Sequence, residues 1–166
     1  MKKELGIVVH TVNMGGGFGV YYKEGDAPVP VEEILKEIII YAEAMEIKYK
    51  IGFKELCIEP GRSIVGNAGT TLYKVGGIKK TVGGKTYVFV DGGMADNIRP
   101  ALYQAEYEAG IVNKLNEKAT EEVTIAGKFC ESGDILIEKT KLEKTQVGDI
   151  LAMTVTGAYC LSLIHI

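Results

Sequence analysis

The sequence predicts two kinds of architecture in one chain: an α/β unit over residues 1–64 and an antiparallel β domain, sandwich or barrel, over residues 65–166. Three observations lead there. The first 63 residues read strand, loop, helix, strand, which is a βα unit. From Ser63 onward, β-branched segments separated by glycine turns follow one another with no long helical pattern between them. The chain has 166 residues, 46% of them hydrophobic, enough to bury a sizeable core in one domain or two small ones.

Each element follows from its residues. Ile7 to Met14 is a β-branched run ending in Gly15-Gly16-Gly17, the pattern of a buried parallel strand delivering a loop. After Pro28 and Pro30, the stretch from Val31 to about Tyr49 puts Ile34, Leu35, Ile38, Ile39, Ala42 and Met45 at helical spacing, with Pro30 near the first turn. Glu55 to Glu59 reads as a second buried strand, stopped by Pro60-Gly61. Leu72–Thr81 and Thr86–Val90 flank Val82-Gly83-Gly84-Lys85, which supplies the positive φ of a hairpin turn. Further strands are predicted at Tyr107–Val112, Glu122–Ala126, Asp134–Glu138 and Asp149–Thr156, with an irregular segment or single helical turn around Pro100.

Composition excludes several function classes. The 19 basic and 22 acidic side chains leave a formal charge of −3, so no basic face for nucleic acid is expected. No apolar run approaches the roughly 20 residues that span a bilayer, and Met1-Lys2-Lys3-Glu4-Leu5 lacks the hydrophobic region of a signal peptide. The expected compartment is the cytoplasm, where the 3 cysteines, with no CxxC pair, stay reduced. His10, in a predicted buried strand, and His165 are the only histidines, so no transition-metal site is expected. Glycine is in excess, at 21 residues where average usage of about 7% gives about 12.

Four constellations carry possible chemistry. Gly15-Gly16-Gly17 ends a strand and serves either as a tight turn or as a nest of backbone N–H groups for a phosphate. It is not the dinucleotide fingerprint, because Val20 stands where the third glycine belongs. Glu59-Pro60-Gly61-Arg62 ends the next strand and, in a parallel sheet, faces the same site. Arg62 and Arg99, the only 2 arginines, are either solvated charges or bidentate clamps for a carboxylate or phosphate. Cys130-Glu131-Ser132-Gly133-Asp134 sets a thiol beside two carboxylates in a loop. Buried inert cysteine is the commoner fate, yet a thiol near its reference pKa of about 8.5 can donate a proton. Thr156-Gly157-Ala158-Tyr159 presents a phenol at a strand end, for packing or for a phosphate. Cys57 reads as core.

Together and in this order, these segments resemble the diaminopimelate decarboxylases, in the pyridoxal-phosphate-dependent group that also holds ornithine and arginine decarboxylases. The residues that carry the match are Met14–Gly19, Glu59–Val65, Asp91-Gly92-Gly93-Met94-Ala95-Asp96-Asn97-Ile98-Arg99-Pro100-Ala101-Leu102-Tyr103, Cys130–Asp134 and Thr156–Tyr159. The resemblance covers the chain from about Gly6 to about Tyr159. It implies that residues 1–64 are the last βα units of a (β/α)8 TIM barrel and that residues 65–166 are the β domain of a homodimer with shared active sites. It further implies that Gly15, Gly16, Gly17, Glu59, Pro60, Gly61, Arg62 and Tyr159 cradle the phosphate of pyridoxal 5'-phosphate. By the same resemblance Arg62, Arg99, Tyr103, Glu131 and Tyr159 bind the amino-acid substrate, and Cys130, entering the neighbouring subunit's site, donates a proton. The reaction implied is decarboxylation of meso-diaminopimelate to L-lysine, the last step of lysine biosynthesis, and Glu-Ser after the cysteine favours it over the ornithine branch.

The pattern departs from the family in three places. None of the lysines stands in the motif that anchors the family's cofactor, and the histidine that stacks on its ring has no counterpart. After Tyr159-Cys160 the chain ends Leu161 to Ile166 instead of in a polar tail. The expectation is therefore a fragment, inactive alone, from a truncated, frame-shifted or incompletely read gene. A related decarboxylase of another diamino acid and a non-catalytic interaction module are the alternatives.

Overall fold

The structure, a computed structural model, describes residues 2–161. A short helix α1 (Lys2–Leu5) precedes strand β1 (Thr11–Asn13). Helix α2 (Val31–Tyr49) starts at Pro30, whose carbonyl accepts the Glu33 and Ile34 N–H groups. Glu32 and Glu33 in its first turn and Lys48 in its last complement the helix dipole. Strand β2 (Glu55–Cys57) pairs parallel with β1, Val12 opposite Leu56. Both strands therefore deliver their following loops to one edge.

These strands are shorter than the apolar runs predict and they are not buried. Val8, Val9 and Met14 are exposed, as is His10, and Cys57 is only half-buried. The reason is that a two-stranded sheet faced by one helix has little to cover it. Even α2 stands across a groove of about 550 Å³ from the sheet, lined by Val12, Ile38, Met45, Phe53 and Leu56 among others.

Helix α3 (Arg62–Val65) leads by a single 3-10 turn into the second sheet. Its members are β3 (Thr71–Lys80), β4 (Thr86–Val90), β5 (Ala109–Ile111), β6 (Glu121–Ala126), β7 (Ile135–Leu142) and β8 (Ile150–Met153), in the order β5-β8-β3-β4-β6-β7. The outer strands β5 and β7 meet, and the Ile111 N–H donates to Glu143 Oε2 at 3.0 Å, so the sheet nearly closes into a barrel. Inside lie Val75, Val88, Ile111, Ile125, Leu136, Leu142, Leu151 and Met153, all fully buried.

One pairing corrects the antiparallel reading. β4 and β6 are parallel, Val88 opposite Ile125, because the 30-residue connection between them crosses back before β6 begins. Gly76-Gly77 lies inside β3, as the predicted strand Leu72–Thr81 implies. There a bulge shifts the register as the strand passes from pairing with β8 to pairing with β4. The helical turn at Pro100 is α4 (Arg99–Tyr103), ended by Gln104 in the left-handed conformation. The unusual tail at residues 162–166, with His165, lies outside the described residues.

Candidate functional site

Parallel pairing of β1 and β2 sets the glycine loop against Glu59-Pro60-Gly61-Arg62. The Glu59 N–H donates to the Gly15 carbonyl at 2.7 Å, and Asn13 Nδ2 donates to Glu59 Oε1 at 2.6 Å. Asn13 Oδ1 in turn accepts the Gly15 N–H at 2.8 Å. A Cβ on Gly16 would collide with the Glu59 carbonyl, which is why the two loops can touch. Gly15 and Gly17 have φ of +74° and +89°, and the space a Cβ would fill beside each is open. The two backbone loops are thus locked together, with open space beside Gly15 and Gly17 that no side chain of their own fills.

Beyond Arg62, the segment after β8 crosses α3. The Gly157 N–H donates to the Gly66 carbonyl at 3.0 Å and the Thr156 N–H to the Gly69 carbonyl at 2.9 Å. This crossing carries Tyr159 over the loop, its hydroxyl 3.7 Å from where a Cβ on Gly61 would stand. Val155 and Tyr159 both take positive φ, +57° and +59°, a strained path for a β-branched and an aromatic residue.

Arg62, Arg99, Tyr103 and Tyr159 then line one cavity of about 370 Å³. Arg99 is buried and charged with neutral partners: its Nη1 donates to the Tyr22 and Tyr107 hydroxyls, each at 2.7 Å. Burial works against its charge, and the two phenol oxygens more than offset that, so its pKa stays above the ordinary value. Burial pushes the Tyr107 phenol up to about 12, so it remains neutral beside the guanidinium. Among the described residues no carboxylate lies within ion-pair distance of Arg99 or Arg62. A buried cation without an anion is a ready seat for a ligand's carboxylate.

The cysteine loop does not join this cavity. Cys130 and Glu131 are exposed on the β6–β7 turn, and Glu131 Oε1 accepts the Gly133 N–H at 3.1 Å and the Ser132 hydroxyl at 3.2 Å. Those bonds hold its carboxyl below the usual range. The turn itself is organised by buried Asp134, which accepts the Met94 N–H at 2.6 Å and the Phe129 N–H at 2.8 Å. Among the described residues no three His, Cys, Asp or Glu side chains group as metal ligands. Cys160 is buried beside the Tyr107 hydroxyl.

The motifs thus separate into a glycine cradle, an arginine and tyrosine cavity next to it, and an exposed thiol loop. Sequence reading missed Asn13, Tyr22 and Tyr107. Asn13 carried a faint signal, as Asn two residues before a glycine favours a turn closed by its own side chain. Tyr22 and Tyr107 carried none, because only the fold brings them to Arg99.

Residues 9–157 match the model of a protein family described as the pyridoxal-dependent decarboxylase, C-terminal sheet domain. The chain is 51% identical over 162 residues to a diaminopimelate decarboxylase of Bacillus methanolicus, covering 98% of this chain and 38% of that protein. To the diaminopimelate decarboxylase of Bacillus subtilis it is 50% identical over 156 residues, covering 94% of this chain and 36% of that one. A crystal structure of the M. jannaschii diaminopimelate decarboxylase superposes with a TM-score of 0.82 at 40% identity, over 97% of this chain and 36% of the other. The same enzyme has been solved in complex with L-lysine. The chain therefore spans less than two-fifths of the length of these relatives. No helix among the described residues is long and apolar enough to cross a membrane.

Proposed function

Because this chain belongs to the pyridoxal-dependent decarboxylases, we propose that it forms part of a carboxy-lyase that removes CO2 from meso-diaminopimelate and releases L-lysine. Residues 1–64 are then the last units of a TIM barrel and residues 65–166 the sheet domain of a homodimeric, cytoplasmic enzyme. The observation that carries the reading is the single cavity that gathers Arg62, Arg99, Tyr103 and Tyr159 beside the glycine cradle.

The residues fit the phosphate end of the family's cofactor. The open space at Gly15 and Gly17, bounded by Glu59 to Arg62, suits a phosphate dianion, and the Tyr159 hydroxyl near Gly61 can add a hydrogen bond. When bound, pyridoxal phosphate supplies an acceptor for the electron pair left as CO2 departs. This chain's side chains do the rest. Arg62 and Arg99, with no carboxylate of their own, hold one from the substrate, with Tyr103 beside them. A carboxylate held by two guanidiniums is stabilised in its charged form and resists leaving, so the clamp suits the carboxylate that the product keeps. Cys130 Sγ, presented to a neighbouring subunit, delivers the proton that takes the place of CO2. Glu131, kept ionised by its loop, meets the substrate's distal ammonium.

The test is a chimera that joins these residues to the preceding segment of the Bacillus subtilis enzyme. It is expected to form L-lysine from meso-diaminopimelate in preference to acting on L-ornithine or L-arginine, and Arg99→Ala is expected to abolish that. The 166-residue chain alone is expected to take no borohydride-trapped pyridoxal label on a lysine and to form no product. A folded chimera without decarboxylase activity, or a chain that labels and turns over by itself, overturns the reading.

A further inference from the structure

We propose that Tyr22 positions Arg62 and Arg99 as one carboxylate-binding pair, holding both guanidiniums on its ring. The inference rests on the reading of those arginines as the substrate clamp. The two come from elements far apart in sequence, α3 and α4, and each must keep its guanidinium plane fixed for bidentate binding. The Tyr22 ring reaches both: Arg62 Cζ lies 5.8 Å and Arg99 Cζ 5.1 Å from its centroid. Its hydroxyl also accepts from Arg99 Nη1 at 2.7 Å.

The ring is itself held. Its edge meets the Tyr107 ring, centroids 5.3 Å apart at 86°, and the Tyr107 hydroxyl accepts from the same Arg99 Nη1 at 2.7 Å. The Tyr22 and Lys23 N–H groups donate to Asp26 Oδ2 at 2.9 and 3.1 Å, which closes the turn that presents the ring. Lys23 pairs with Glu106, and the Glu24 N–H donates to Glu108 Oε1, tying that turn to the segment before β5. An aromatic face orients a cation without neutralising it. A carboxylate in the same place would orient better and compete with the ligand. Tyr22 therefore gives Arg62 and Arg99 fixed directions and leaves their charge to the substrate. It follows the glycine loop by only five residues, so the cofactor cradle and the clamp share one short segment.

With only 2 arginines, the chain labelled with isotopic arginine gives one Nε–H signal for each. Tyr22→Phe keeps the ring and removes the hydroxyl, and is expected to move the Arg99 signal and leave that of Arg62. Tyr22→Leu is expected to move both and, in the folded variant, to raise the half-saturating concentration of L-lysine about tenfold. Ring-to-guanidinium Overhauser contacts in the unaltered protein give the same answer if a variant fails to fold. Unmoved signals in a folded Tyr22→Leu variant, or no such contacts to both arginines, overturn the proposal. If L-lysine moves neither signal in the unaltered chain, the clamp reading fails instead, while the contacts still judge Tyr22.

Discussion

The carboxylate of Asp134 lies against Gly127 and Gly93 so tightly that a Cβ on either would strike it. Its two oxygens each take one backbone N–H, from Met94 and from Phe129, and so fasten the loop after β4 to the turn that bears Cys130. In the sequence it reads as one of two acids near a thiol, at the start of a predicted strand and with no role of its own. Burial separates them: Asp134 is a positioning group and Glu131 a surface one. Asp134→Asn turns one acceptor into a donor facing an N–H, and is expected to cost about 1–3 kcal/mol in urea unfolding. Amide exchange at Met94 or Phe129 should quicken with it. Unchanged stability and exchange would show that the carboxylate does not hold the loop.

β3 is the element on which the second sheet turns. Its first residues pair with β8 and its last with β4, and the bulge at Gly76 lets one strand serve two partners with different twist. The strand itself was legible in the sequence, but which face turns inward, Tyr73 and Val75 rather than Leu72 and Lys74, was decided by the sheet. The parallel β4/β6 pair was not legible, because pairing partners are chosen by the closure of the whole sheet. Core positions carry the stability of these strands. Leu142→Ala, at a fully buried site on β7, is expected to cost about 2–5 kcal/mol. Val82→Ala, fully exposed at the hairpin tip, should stay within about 0.5 kcal/mol. Equal losses in denaturant unfolding would contradict the barrel core described above.

Across the whole molecule, titrating groups set a pH window for stability. Backbone N–H bonds from Tyr22 and Lys23 lower the Asp26 pKa, and those from the Gly133 loop lower that of Glu131. Burial pushes Asp149 up, but hydrogen bonds from Lys114, Asn113 and Gln146 outweigh it and hold it down. A depressed folded pKa stabilises above the ordinary carboxylate value, about 4, and that contribution is lost as pH falls through the depressed values. On the alkaline side burial raises Cys160, Tyr107 and Tyr73. Their contribution is complete below the unfolded value, about 8.5 for the thiol, and is lost as pH climbs through the raised ones. Urea midpoints should therefore plateau between about pH 5 and 8. Cys160→Ser should delay the alkaline decline toward the phenol range, and an unaltered alkaline limb would contradict the buried thiol as its cause.

The sequence by itself determined the succession of strands, the span of α2, the hairpin that ends in Thr86–Val90 and the motifs that identify the family. Those depend on local propensity, period and residue type, which a linear chain carries in full. Only the tertiary structure decided that β1 and β2 lie largely uncovered, that Arg99 rests on neutral phenols, and that Tyr22 faces both arginines. Such facts depend on which distant segments meet, and burial and electrostatic environment exist only once they have met. The glycine excess belongs to both. Its turns were legible, but the contact of Gly16 with Glu59 and of Gly127 with Asp134 needed the folded chain to give it a reason.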